Sequence, residues 1–305
     1  MIADFSRQYH CLQVRSQVLQ AIRNFFTAQH YLEVDTPLRC PCVIPESHID
    51  PVTSGTWFLQ ASPELCMKRL LSKGCDKLFQ LCKCFRKNER GLLHLPEFTL
   101  LEWYTANATY LDLMDQCQDL LCYIARQLKY NHILPYQGRQ IDISGPWPRL
   151  TVKDAFSSHA DISLETALQK GLFDETLSFQ IEPELGNHTP VFLMDYPASQ
   201  ASLAKLLPDN PAYAQRFEFY IAGIEMANGF TELTDPDEQR RRFMITNHER
   251  AAMGAASLPL PEKFLKDLTA MPDAAGIALG VDRLVMFFAD VAAIDHVVCF
   301  PPEHL

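Results

Sequence analysis

Two strand-like runs constrain this chain more than any other feature: KLFQLCKCF (77–85) and EFTLLEWY (97–104), joined by a polar loop from Arg86 to Pro96. Runs of this length, rich in apolar side chains and separated by a short polar connection, read as a β-hairpin. A hairpin makes its strands antiparallel. Around it, residues 11–30 place apolar side chains at 14, 18, 21, 22, 25 and 26, which is helical spacing with a basic outer face. YLEVDTPL reads as a short strand ended by Pro37, and residues 38–60 as a loop entering a strand, TWFLQ. SPELCMKRLLSKG carries helix signals throughout: Ser62 as N-cap, Pro63 at the first helical position, Glu64 in the first turn and Gly74 as stop. Residues 110–130 read as helix. The last third runs strand, hairpin, an Arg-rich helix near 237–253, then GIALG as a strand feeding a helix from Asp282. Hairpins mixed with helices, without a strand–helix–strand rhythm, predict an α+β fold: an antiparallel β-sheet flanked by helices.

The 305 residues are 48% hydrophobic with only 12 glycines, enough for a large core in one domain or one domain with an inserted subdomain. Residues 131–190, with ISGPWPRLT and weak helices, are the candidate insertion. A net charge of -10 argues against nucleic-acid binding through a broad basic surface and leaves room for a local basic site. MIADFSRQYH does not resemble a signal peptide, and the longest apolar tract (276–294) is interrupted by Asp282, Arg283 and Asp290, so no membrane span is expected. Ten cysteines without a secretory signal point to reduced cytosolic thiols. Cys40/Cys42 and Cys82/Cys84 have C-x-C spacing but complete no zinc pattern, and are expected to be small buried hydrophobes.

Three stretches carry candidate chemistry. The loop FRKNERGLLHLPEF offers Arg86, Lys87, Arg90 and His94, and an arginine fork matches phosphate oxygens. Alone it reads better as a solvated loop. The following strand shifts the balance, because a period of two puts Phe98, Leu100, Glu102 and Tyr104 on one face. Glu102 has a competing structural reading, an ion pair with a core arginine. In RFEFYIAGIEMANGFTEL, a turn near Ala222-Gly223 places Glu218 and Glu225 on one face of a hairpin, where two carboxylates suit Mg2+ with substrate phosphates. Between Glu225 and Asn228 the parity changes again. A bulge or turn at Asn228-Gly229 would bring Asn228, Phe230 and Glu232 to one face; a plain hairpin turn between exposed acids is the alternative. In GIALGVDRLVMFF the helix N-terminus and Arg283 suit an anion, while an Asp282 N-cap paired with Arg283 explains the pattern without a ligand.

Together these stretches resemble the three signature motifs of class II aminoacyl-tRNA synthetases, with YLEVDTP as the first, dimer-interface motif. The match is to the lysine branch, through SPELCMKRLL, PEFTLLEWY, RFEFYIAGIEMANGFTEL and LGVDRLVMFF. The chain begins almost directly at the catalytic domain, without the N-terminal OB-fold that reads the anticodon in lysyl-tRNA synthetases. It therefore resembles most the truncated paralogues, the elongation factor P lysine ligases, as do PASQASLAK and Ala278 within GIALG.

The resemblance implies a single class II synthetase-like catalytic domain over 1–305, with an inserted or variable subdomain within about 105–190. It implies ATP as co-substrate, Mg2+, a homodimer, elongation factor P as acceptor, lysine or (R)-β-lysine as substrate, and no anticodon-type tRNA binding. By position, Arg86 falls to the α-phosphate, Phe98 to the adenine, and His94 and Arg283 to the outer phosphates; Glu89 joins the nucleotide site, and Arg86 and Arg283 are the catalytic pair. Glu218 and Glu225 match the Mg2+ positions, and Glu64, Glu102, Tyr104, Asn228, Phe230, Glu232 and Ala278 the lysine pocket. Glu64 is also a helix-stabilising residue in its own right. Two positions depart from the family pattern: Asn88 where it usually has Glu, and Leu95 where it has Asn before the Pro. The expected reaction forms an aminoacyl-adenylate and passes the acyl group to an ε-amine. The sequence shows no obvious general base for that second step. The rival readings are a minimal tRNA-charging enzyme and a non-catalytic amino-acid-binding regulator.

Overall fold

The computed structural model describes residues 2–305. Eight strands form one sheet: Leu32–Glu33 (β1), Lys77–Phe85 (β2), Glu97–Ala106 (β3), Arg149–Thr151 (β4), Val191–Pro197 (β5), Tyr213–Ile221 (β6), Ile224–Thr231 (β7) and Ala274–Gly280 (β8). Their spatial order is β1-β2-β3-β8-β7-β6-β5-β4. From β2 to β5 every neighbouring pair is antiparallel, as the hairpins predict. The edges differ, because β1 and β4 pair in parallel with β2 and β5. Neither edge strand is joined to its partner by a hairpin, so no turn dictates its direction.

The helices are Ile2–Ala28 (α1), Glu64–Leu71 (α2), Tyr110–Gln127 (α3), Val152–His159 (α4), Leu164–Lys170 (α5), Phe173–Thr176 (α6), Pro236–Ala252 (α7), Glu262–Leu268 (α8) and Val281–Phe288 (α9). Helix α1 starts earlier than its apolar spacing indicates, yet all six predicted contact positions, Val14, Val18, Ala21, Ile22, Phe25 and Phe26, are buried. They pack with α3 and α9 against one face of the sheet, on Leu101, Trp103, Phe217, Phe219, Ile277 and Leu279. Each such fully buried side chain contributes roughly 1.5–3 kcal/mol relative to exposure. Alternation along the strands then sends Phe98, Leu100, Glu102 and Tyr104 to the opposite face. There α2, α7 and α8 cover only the end near Tyr104, through Met67, Leu71, Phe243 and Phe264. The rest of that face stays open to a cavity.

Helix α2 begins as the sequence indicates, the Ser62 hydroxyl accepting from the Glu64 N–H at 3.0 Å, and Gly74 follows it at φ 93°. Residues 131–190 form a hairpin (Ile133–Tyr136 with Arg139–Asp142), β4, and α4 to α6. Phe156, Phe173 and Ile181 of this segment share a second apolar cluster with Leu193, Tyr196 and Tyr220 of the main sheet. All ten cysteines are free. Cys82 and Cys84 are buried beside Leu100, whereas Cys40 and Cys42 are only half-buried and line a cavity described below.

Candidate active site

The turn between β6 and β7 places the paired carboxylates. Ala222 and Gly223 both have positive φ, 52° and 78°, the requirement of a tight two-residue hairpin loop. In the register that follows, Glu218 faces Asn228 and Tyr220 faces Glu225, with a shift between Phe219 and Tyr220. Met226 is therefore the extra residue, and Glu218, Tyr220, Glu225 and Asn228 share the open face. The expected parity change exists but lies two residues before Asn228-Gly229, through which β7 runs unbroken. Gly229 serves the core face instead: a Cβ there would stand 2.8 Å from the Phe217 ring.

A cavity of about 370 Å³ opens over this face. It is lined by all seven residues expected at the nucleotide: Arg86, Glu89, His94, Phe98, Glu218, Glu225 and Arg283. The Arg86 guanidinium lies 5.0 Å from the Phe98 ring centroid and 3.6 Å from a Glu89 carboxylate oxygen, and its buried Nε has no hydrogen-bond partner. Arg283 donates to the Glu225 carbonyl at 2.6 Å and reaches its carboxylate at 3.3 Å. Its Nη2 is 2.7 Å from His94 Nε2. A guanidinium only donates, so His94 Nε2 accepts and the neutral ring carries its proton on Nδ1. Burial and then the Arg283 charge hold the His94 pKa below its usual value, in keeping with that assignment. Asp282 does not pair with Arg283. It accepts from Arg15 at 2.5 Å and from the Thr99 N–H at 2.7 Å, which removes the ligand-free explanation of the Asp-Arg pair.

The loop departures have structural accounts. Asn88 sits exposed at φ 63°, a left-handed conformation that asparagine tolerates better than glutamate. The chain turns there and Glu89, not residue 88, lines the cavity. Leu95 is 3% exposed and packs into the main core, supplying no polar group.

Glu218 is held on every side. Tyr196 and Tyr220 hydroxyls donate to one oxygen, both at 2.6 Å; Arg216 at 2.7 Å and the Asn228 amide at 3.3 Å donate to the other. Arg216 also donates to the Gln200 carbonyl at 2.6 Å and lies 4.3 Å from the Tyr196 ring centroid, tying the PASQ segment to the site. Burial first, then the Glu225 charge, raises the Glu218 pKa. Glu182, which accepts from Tyr220 at 3.1 Å, is pushed up to about 7 by burial and by Glu218 and Glu225. A dication would relieve the mutual repulsion of these carboxylates, so the donor set fits Mg2+. Among the described residues no three such side chains converge tightly enough to hold a metal alone.

The residues expected to hold a lysine lie near one another, with Lys68 among them. Glu102 is buried and accepts from Ser62 at 2.6 Å and Tyr104 at 3.0 Å, so it is not paired with a core arginine. Glu232 is fully buried and ion-paired with Lys68, which also pairs with Glu64 and lies 5.0 Å from the Phe230 ring centroid. Gly276 is required beneath them, since a Cβ would meet the Tyr104 ring at 2.2 Å. Ala278 and Asn228 line the cavity, whereas Glu64, Glu102, Tyr104, Phe230 and Glu232 do not. Ala278 lies in register between Glu102 and Asn228. The Lys68 ammonium pairs with two of these three carboxylates, Glu64 and Glu232. Burial, with Glu64 adding repulsion, pushes Glu102 up to about 8; burial likewise pushes Glu232 up to about 8 although Lys68 pulls it down. Burial disfavours the Lys68 charge, but Glu232 and Glu64 outweigh it and raise its pKa.

Lys68, Arg216, Tyr196, Tyr220 and Glu182 were not anticipated from the sequence. Lys68 had a local signal, its i,i+4 spacing from Glu64. Tyr220 had the two-residue period from Glu218. Arg216 shared that period, whereas Tyr196 and Glu182 arrive from elsewhere in the chain and had none.

No described helix is long and apolar enough to cross a membrane. Over residues 4–304 the chain matches the family described as tRNA synthetases class II (D, K and N). It is similar to the elongation factor P--(R)-beta-lysine ligase of Vibrio atlanticus, 37% identical over 307 residues, covering 95% of each chain. The protein of that name from Photobacterium profundum is 38% identical over 313 residues, again with 95% of both covered. That from Edwardsiella ictaluri is 38% identical over 305 residues, covering 94% of this chain and 93% of the relative.

Proposed function

The chain belongs to the class II tRNA synthetases (D, K and N), and we propose that it is a cytoplasmic ATP-dependent ligase that activates (R)-β-lysine and joins it to a lysine side chain of elongation factor P. The observation that carries this reading is one sheet face with two chemically opposite ends. Arg86, His94 and Arg283 offer donors for phosphates, and two residues along β3 from Leu100 the excess carboxylates of Glu64, Glu102 and Glu232 ask for a further ammonium. A substrate with an ammonium-bearing chain, joined through its carboxylate to a nucleotide phosphate, satisfies both ends.

In this reading Phe98 stacks on the adenine, and Arg86, through its unpartnered Nε, receives the α-phosphate. His94 and Arg283, already locked to each other, meet the outer phosphates. Glu218 and Glu225 would hold Mg2+, which supplies charge neutralisation on the phosphates. The lysine carboxylate attacks the α-phosphorus in line, so the chain's contribution is positioning and fixed donors around developing charge. Asn228 borders both ends, and the Ala278 methyl stands where the substrate must pass from one to the other. A methyl there shapes the choice between α- and β-amino acids by a modest factor. The chain acts as a homodimer through the segment around Pro37, where Leu32, Leu38 and Trp57 are exposed apolar side chains.

The test is the mass of elongation factor P after incubation with ATP and each lysine isomer. The expected result is an added β-lysyl group; labelling of total tRNA instead would overturn the reading. Glu218→Gln should lower lysine-dependent ATP–pyrophosphate exchange by about 100- to 1,000-fold while the chain stays folded, because the amide oxygen still accepts from Arg216 and Asn228 and the amide NH2 can donate to the tyrosine hydroxyl oxygens.

A further inference from the structure

A second cavity, of about 300 Å³, is lined in part by Pro41, Cys42, Val43, Ile44 and Glu46. Its walls are chiefly apolar, with Val43, Ile44, Leu65, Leu260 and Phe264 among them. One residue, Glu46, lines both this cavity and the nucleotide cavity. Ser62, which donates to Glu102, lines the second cavity beside it.

The Glu46 carboxylate has no hydrogen bond or ion pair with any described residue, yet its backbone is firmly held. Arg250, 2% exposed, donates to the Glu46 carbonyl at 2.8 Å, the Ile49 carbonyl at 3.0 Å and an Asp50 carboxylate oxygen at 2.8 Å. Glu46 thus offers a carboxylate without a partner, on a held backbone, to both cavities and within the field of Arg86. Burial raises its pKa, with Arg86 and Arg216 lowering it and Glu64 and Glu89 raising it further. At the mouth Arg69 is answered by Asp267 at 2.6 Å, so the passage does not present a bare guanidinium.

We propose that the second cavity admits the acceptor side chain, an aliphatic stem ending in an ammonium, and that Glu46 at its inner end accepts the proton this amine must lose. The proposal rests on the ligase reading and adds to it the approach route and the base. The apolar walls suit the methylenes and the carboxylate suits the tip. In the step itself the ammonium gives one proton to Glu46, and the freed nitrogen lone pair attacks the carbonyl of the aminoacyl-adenylate. The C–N bond forms, the C–O bond to phosphate breaks, and AMP leaves with the electron pair. The second nitrogen proton passes to the departing phosphate or to water, giving a neutral amide.

The experiment uses the whole enzyme as Glu46→Gln, Glu46→Asp and Leu260→Trp. Three rates are compared with wild type: β-lysine-dependent ATP–pyrophosphate exchange, hydroxamate formation with hydroxylamine, and single-turnover transfer to elongation factor P across pH. Hydroxylamine is unprotonated at neutral pH and small, so it needs neither base nor channel. Glu46→Gln should retain exchange and hydroxamate formation but lose transfer by about 100- to 10,000-fold, together with the rise of transfer with pH as Glu46 ionises. Glu46→Asp should recover part of that loss. Leu260→Trp, which fills the channel, should depress transfer and spare the other two rates. Normal transfer by Glu46→Gln or by Leu260→Trp overturns the proposal, as does an equal loss of exchange and transfer in Glu46→Gln. A wild-type enzyme without exchange or without modification of elongation factor P would instead overturn the ligase reading.

Discussion

Two groups of carboxylates lie on the same face of the same sheet, and they are compensated in different ways. Glu218 is met by two tyrosine hydroxyls, an amide and one arginine, and it faces an open cavity with Glu225 beside it. In the group of Glu64, Glu102 and Glu232, the Lys68 ammonium pairs with Glu64 and Glu232, while Glu102 accepts from Ser62 and Tyr104. Both groups keep ion pairs, Arg216 with Glu218 in the first and Lys68 with Glu64 and Glu232 in the second. The first, however, lines an open cavity that an arriving cation can enter, whereas the carboxylates of the second do not line it. The first group is thus mainly a matter of activity, and the second a matter of stability as well.

The largest expected effect comes from breaking the second group. Lys68→Met leaves Glu232 buried without a counter-charge, and removal of one partner from a buried pair destabilises by about 3–5 kcal/mol. Denaturant unfolding checks this, and adding Glu232→Gln should recover much of the loss. If Lys68→Met unfolds at the wild-type midpoint, the distinction between the two groups fails.

A smaller effect follows from pH. Glu102 and Glu232 both stand at about 8, above the ordinary carboxylate range. A carboxyl whose folded pKa is raised binds its proton more tightly in the folded chain than in the unfolded one. Its contribution is complete below the unfolded value of about 4.3 and is lost as pH rises through the folded value. The ligand-free protein should therefore lose stability between about pH 4.5 and 8, by on the order of 1 kcal/mol per pH unit for each group at most. Glu102→Gln should flatten that slope, and saturating β-lysine should oppose it by supplying the missing cation. A stability that rises with pH over this window would contradict the assignment of excess negative charge to the second group.

How much of this was legible in the sequence differs between the same two groups. The period of two along EFTLLEWY put Phe98, Glu102 and Tyr104 on one face, because alternation is a local property of extended chain. The hairpin turn at Ala222-Gly223 did the same for Glu218 and Glu225. The bulge was expected at the wrong residue. Asn-Gly is a strong turn signal, but Gly229 is there for close approach to Phe217, which only the packed sheet reveals. The parallel edges were hidden because β1 and β4 are two and three residues long and take their partners from tertiary packing. Lys68 was visible beside Glu64, but its pairing with Glu232 joins distant strands and helices, and nothing local announces it.

The smallest expected effect concerns how the open group keeps its loop in place. Arg90 stands in the loop that carries Arg86, Glu89 and His94, and it points away from the cavity to the C-terminal segment. Its guanidinium makes a two-pronged bond to Glu303, 2.8 and 2.9 Å, and a third to Asp295 at 2.8 Å. Hydrogen bonding from Arg90 holds Glu303 down to about 2, so the clasp persists across the physiological range. Exposed ion pairs add little to global stability, so Arg90→Ala should leave the unfolding midpoint unchanged. What it loosens is the pose of the loop, and with it the binding of ATP in ground state and transition state alike. The KM for ATP should rise by up to about five-fold with kcat nearly constant. Salt screens exposed pairs, so wild type at high ionic strength should approach the variant. A fall in kcat at unchanged KM would show instead that Arg90 acts on the chemical step, and the open group would then depend on more than the residues lining its cavity.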